Sequence, residues 1–209
     1  SIRDHDADRR TTSMTARPRP PFRADHVGSL LRPPELLRAR EDLAAGRIDG
    51  DTLQGIENDA IREAVRRQEE VGLPSVTDGE LRRASWHMDF IYQLDGISKE
   101  AGNLAVTFHN EQGDIEFTPA ALHIDGKLGV SRTIFGDDFV FLRDMVTTGV
   151  PKLTIPSPSM VHYRGGKAAI DPNVYPELDE FWRDLTAAYR DQVRRLDPQR
   201  LLISGNAFP

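Results

Sequence analysis

The sequence predicts an α/β chain built on a parallel sheet. Three observations point there. Short apolar runs alternate with amphipathic helical stretches. Gly and Pro stand at the joints between them. Ser, Asp and Glu gather where the apolar runs stop, and in parallel α/β folds that is where ligands bind. The chain has 209 residues, 38% of them hydrophobic and 29% charged, enough for one domain with one core.

Residues 1–24 carry six Arg, three Asp and three Pro and no apolar stretch of signal-peptide length. This composition predicts a disordered tail. The folded region is then 25–209. His26 to Leu31 is an apolar segment stopped by Arg32-Pro33-Pro34 and reads as a strand ending in a Gly-Ser turn. Pro34 suits the first turn of a helix, and Gly46 suits its end. Asp51 is the N-cap candidate for a second helix, 52–71, with Leu53, Ile56, Ala60, Ala64 and Val65 at helical spacing.

Val76 and Thr77 favour a strand, and Asp78-Gly79 favours a turn after it. Trp86, Phe90 and Leu94 share one face of a helix predicted over 85–94. Between about 102 and 135 the pattern changes to short strand-like runs at 106–109, 115–117 and 122–124, read as a β insert. A short helix over 137–145, a buried strand at 152–155, a long helix over 175–196 and a strand at 201–204 complete the order.

Net charge is −6 and there is no Cys. A generally basic nucleic-acid binder is disfavoured, and disulfides and thiolate chemistry within the chain are excluded. No run reaches the roughly 18 apolar residues of a membrane span. The expectation is a cytoplasmic protein with neither nucleic acid nor membrane as partner. No P-loop, GxGxxG, HExxH or GxSxG pattern occurs.

Four constellations remain. Gly28 lets a ligand approach the backbone and Ser29 offers a hydroxyl, while His26 can carry a proton or bind a metal; the plainer reading is a strand-to-loop corner. Asp78 and Glu80 can grip an ammonium group or a metal, or form a solvated turn neutralised by Arg82 and Arg83. Ser157 and Ser159 sit in a loop stiffened by Pro156 and Pro158, with or without a ligand. His162-Tyr163-Arg164 before Gly165-Gly166 suits an anion or a solvated loop. His109, His123 and His162 lack metal-ligand spacing, and His87 beside Trp86 reads as packing.

Three motifs together, RADHVGSLLRPPELL, VTDGELRRASWHMDF and KLTIPSPSMVHYRGG, resemble the cobalamin-independent methionine synthase family, in its short single-barrel branch. The likeness covers roughly residues 22–196. It implies a (β/α)8 TIM barrel in which zinc activates the thiol of homocysteine toward a methyl-tetrahydrofolate. It also implies that Gly28 and Ser29 hold the amino-acid carboxylate and Glu80 the amino group, with His26 and Asp78 in support. The family's zinc ligands, His, Cys and Glu, belong to the second half of the barrel. This chain has no Cys and leaves the family pattern after Leu196.

The expectation is therefore a partial, N-terminal half-barrel that holds the amino-acid end of the substrate and transfers no methyl group alone. Two open sheet edges would invite a homo-oligomer. Two other readings stand: zinc-thiolate attack on another electrophile such as an epoxide, and a non-catalytic binding or assembly protein derived from the barrel.

Overall fold

The computed structural model describes residues 26–100, 106–110, 113–117, 121–196 and 202–206. The predicted tail, 1–24, lies outside them. Two helices come first, α1 (Pro34–Ala44) and α2 (Gly50–Glu70), and pack on each other. Pro34 opens α1, and Gly46 follows it at φ +69°. The N-cap of α2 is Asp49 rather than Asp51: its side chain accepts from Thr52 N at 2.8 Å. Asp51 instead lies in the first helical turn, where its charge favours the helix dipole.

A parallel sheet of order β1-β6-β7 is formed by β1 (Ser75–Val76), β6 (Val150–Pro156) and β7 (Leu202–Asn206). These three described strands form no closed barrel. Between β1 and β6 the chain runs through α3 (Met88–Ile91), β2 (Asp95–Glu100), β3 (Val106–Asn110), β4 (Gly113–Phe117), β5 (Ala121–Gly129) and α4 (Gly136–Met145). β2 pairs antiparallel with β5, and β3 with β4. After β6 come α5 (Ser159–Gly165), a single 3-10 turn and α6 (Leu178–Leu196).

Several expectations need correction. Residues 26–31 are not a strand but irregular chain. Their polar groups are claimed one by one: Thr77 Oγ1 donates to Gly28 O, Lys152 Nζ to His26 O, and Gly79 O accepts from Leu30 N. Two side chains and one main-chain bond thus hold a segment that a ladder would otherwise hold. The helix expected over 85–94 shrinks to α3, because Asp89 and Ser85 tie the preceding N–H groups of Ala84, Ser85 and Met88 into a turn. The loop expected at Ser159 is the start of α5, and α6 begins at Leu178, not Tyr175. β2 was not foreseen; near its start, Gly96 at φ +79° marks a register irregularity within the β2–β5 pair.

Phe90, Phe139, Phe181, Leu36, Ile61 and Leu185 are fully buried in one hydrophobic cluster. Two helix glutamines join this core by mimicking a strand. Gln68 accepts from Thr77 N at 2.9 Å and donates to Thr77 O at 2.8 Å. Gln192 does the same to Ile134, with both bonds at 2.9 Å.

Glu69, near the end of α2, accepts from the backbone N–H of Thr147 at 2.6 Å and of Thr148 at 2.7 Å. The Thr148 bond is the main reason its carboxyl is held below 4.5. Because the folded state lowers this pKa, the clamp is fully present above the unfolded value and is lost as pH falls through the folded one. Glu69→Ala should cost about 1 kcal/mol at pH 7, the modest end for a solvent-open carboxylate. The gap between variant and native chain in denaturant unfolding should narrow as the pH falls below 4.5 and close once the Glu69 carboxyl is protonated in the folded chain.

Candidate functional site

The candidate site lies where β1 ends. Thr77, Asp78 and Glu80 follow it and are all buried. Gly79 has φ +68° and Glu80 φ +56°. For Glu80, a left-handed backbone costs about 1–2 kcal/mol relative to ordinary helix or strand. The Asp78 carboxylate helps to hold it, accepting from Glu80 N at 2.9 Å. Two arginines grip the same turn from outside. Arg32 donates to Arg83 O at 2.6 Å, and Arg40 donates to Leu81 O at 2.6 Å.

The Glu80 side chain, 1% exposed, reaches across to β6. Its Oε1 accepts from Thr154 Oγ1 at 2.6 Å. Arg83 Nη1 stands 3.7 Å from the same oxygen. Glu80 Oε2 is buried with no hydrogen-bond partner among the described residues, and so is Arg83 Nη2. Gly28 closes the site. A Cβ there would lie 2.4 Å from Thr154 Cγ2 and 3.1 Å from Glu80 Oε1, so only glycine lets the backbone come this close.

Arg83 is stacked on Phe135, 4.3 Å from the ring centre, and donates to Trp86 O at 3.3 Å. With Arg82, Lys99, Tyr92 and Arg132 it lines an open cavity of about 900 Å³. Asp138 is on the same wall. Burial pushes its carboxyl above the ordinary carboxylate value; Arg82, 3.0 Å away, opposes this and Asp78 adds to it.

Of the residues singled out in the sequence, the structure brings Gly28, Asp78 and Glu80 together. His26 is tied nearby by Gln68, whose Oε1 lies 2.7 Å from His26 Nε2. Ser29 is exposed beside buried Gly28. Ser157 and Ser159 are hydrogen-bonded to each other at 2.9 Å, and Ser157 O accepts from Tyr189 at 3.5 Å; the described contacts do not join them to Glu80. His162 packs on Phe181 and Trp182, and His87 on Trp86. Thr77, Thr154 and Gln68 were missed as site residues, while Arg83, read as a counter-charge to the turn, stands beside Glu80. The available signal for Thr154 was its place near the end of a predicted strand, among residues that strand alternation sends to one face.

The zinc ion implied by the family resemblance does not fit these residues. Among the described residues no three His, Cys, Asp or Glu side chains converge, and the chain has no Cys. No described helix is long and apolar enough to cross a membrane.

No protein-family model matches the chain. It is 39% identical over 174 residues to the uncharacterized protein YxjH of Bacillus subtilis, covering 83% of this chain and 44% of that protein. It is 29% identical over 132 residues to the methionine synthase of Sulfolobus acidocaldarius, covering 63% of this chain and 37% of that protein. A crystal structure from Listeria monocytogenes, provisionally named a vitamin-B12 independent methionine synthase, superposes with a TM-score of 0.70 at 35% identity. The match covers 88% of this chain and 52% of that one. The chain spans about half the length of the curated relatives it matches. By sequence and by fold, the chain is similar to cobalamin-independent methionine synthases over most of its length.

Proposed function

We propose that this chain supplies the amino-acid-binding part of a methionine-synthase-like methyltransferase and is a portion of a (β/α)8 barrel. The ligand is homocysteine or a related thiol amino acid. The observation that carries this reading is the buried Glu80 carboxylate, with one oxygen fixed by Thr154 and the other without a partner. A buried charge in that state is costly unless a ligand completes it, and an ammonium group matches it in charge and hydrogen bonding. Gly28 and Ser29, on the adjoining loop, are assigned to the ligand carboxylate. Gly28 leaves room for close approach, and exposed Ser29 has a hydroxyl to donate.

The methyl donor of the parent reaction, a methyl-tetrahydrofolate, is assigned to the neighbouring cavity. Its volume of about 900 Å³ lies within the usual range for small-molecule sites. The thiol-activating zinc of the parent reaction finds no ligand set among the described residues of this chain. The role proposed here is accordingly binding and orientation of the acceptor amino acid.

Calorimetric titration with L-homocysteine tests the reading. Glu80→Gln should weaken binding by roughly 10- to 100-fold, the worth of one charge-assisted hydrogen bond. Equal affinity in the native chain and in Glu80→Gln would remove the assignment.

A further inference from the structure

We infer that Thr154 is a positioning residue that decides which way the Glu80 carboxylate faces. This rests on Glu80 being the ammonium partner. Two groups compete for Glu80 Oε1. Thr154 Oγ1 lies at 2.6 Å, a full hydrogen bond, whereas Arg83 Nη1 lies at 3.7 Å, beyond one. Arg83 is 3% exposed and its Nη2 has no partner among the described residues.

An arginine and a carboxylate so placed tend toward a two-bond, fork-to-fork pair. Such a pair would consume both Glu80 oxygens and leave nothing for a ligand. The Thr154 hydroxyl prevents it: by pinning Oε1 toward β6 it keeps Oε2 unspent.

Thr154 is itself held in place. Gly28 packs against its methyl group so closely that no side chain fits between them. Lys152, two residues earlier on β6, lies on the same side of the strand and takes His26 O. Lys152 and Thr154 thus fasten the two walls of the site, one to the 26–29 loop and one to Glu80.

The test compares four forms of the full chain: native, Thr154→Val, Thr154→Ser and Thr154→Ala. Each is titrated with L-homocysteine and with 4-mercaptobutanoate, which keeps the thiol and carboxylate and lacks the amino group. Thr154→Val keeps the shape and loses the hydroxyl. Its homocysteine affinity should fall about tenfold, as for one hydrogen bond to a charged group. Thr154→Ser should stay within about threefold of native, and 4-mercaptobutanoate affinity should not change in any form.

Thr154→Ala is a second hydroxyl-free form, read in the same way should Thr154→Val fold poorly. Equal losses for both ligands would reduce Thr154 to a structural role and overturn the inference. Native-like homocysteine binding by Thr154→Val, with Glu80→Gln still impaired, would overturn it while leaving the Glu80 assignment standing. Homocysteine binding that does not depend on Glu80 would overturn both.

Discussion

Gly28→Ala should lower both stability and ligand affinity. The new methyl carbon would sit 2.4 Å from Thr154 Cγ2 and 2.8 Å from Thr154 Oγ1, far inside van der Waals contact. Either the 26–31 loop lifts away or Thr154 rotates. The first breaks the Thr77 hydroxyl bond to Gly28 O, and the second breaks the Thr154 bond to Glu80. Overpacking of this kind costs about 1–3 kcal/mol, which for a chain of this size is a fall of roughly 3–10 °C in melting temperature. Homocysteine affinity should fall at least about tenfold on loss of the Thr154–Glu80 bond. Adding Thr154→Ser removes the nearer clashing carbon and should restore part of the melting temperature. Calorimetric melting of the single and double variants checks this. A Gly28→Ala chain that melts with the native one would show that the loop does not seat against Thr154.

Gln68→Leu should be more damaging to stability. Thr77 is completely buried, and both its backbone N–H and its C=O are satisfied by the one Gln68 amide. Leucine is of similar size and leaves both groups unpaired. At about 1–3 kcal/mol for each orphaned group, the expected cost is roughly 2–6 kcal/mol. The damage would spread to the candidate site, because Thr77 also holds Gly28 through its hydroxyl, and Gln68 also bonds the His26 ring. The midpoint of denaturant unfolding measures it. A shift worth less than about 0.5 kcal/mol would mean that water or a neighbour replaces the amide.

Much of the helical framework was legible in the sequence. α1, α2, α4 and α6 carry apolar residues at helical spacing over two or more turns, and the boundaries fell within three residues of the observed ones. β6 was legible as well, since Leu153 and Ile155 are buried in the core. The 26–31 segment misled because its apolar content is that of a strand, whereas its hydrogen bonds go to Thr77, Lys152 and Gly79, which lie far along the chain. No local pattern records such partners.

The candidate site divides in the same way. Gly28, Asp78 and Glu80 were candidates by residue type, alongside plainer turn readings, and the family motifs assigned them to the site. Thr154 and Gln68 were not, because their roles exist only once β6 and α2 have been brought against the turn at Glu80. A threonine within a strand and a glutamine on a helix carry no sign of their hydrogen-bond partners until the fold brings those partners up.

The Gln192 amide that completes Ile134 has a consequence for the route by which the chain reaches its native state. The two residues are 58 positions apart, so the bond forms only after a long loop has closed and its entropy has been spent. Until α6 docks, the N–H and C=O of Ile134 must remain hydrated, and burying Ile134 early would strand both. The stretch leading into α4 is therefore bound to the timing of α6, although α6 lies far downstream and is synthesised later. A nascent chain emerging in order from a ribosome would hold the first of these parts open while waiting for the second.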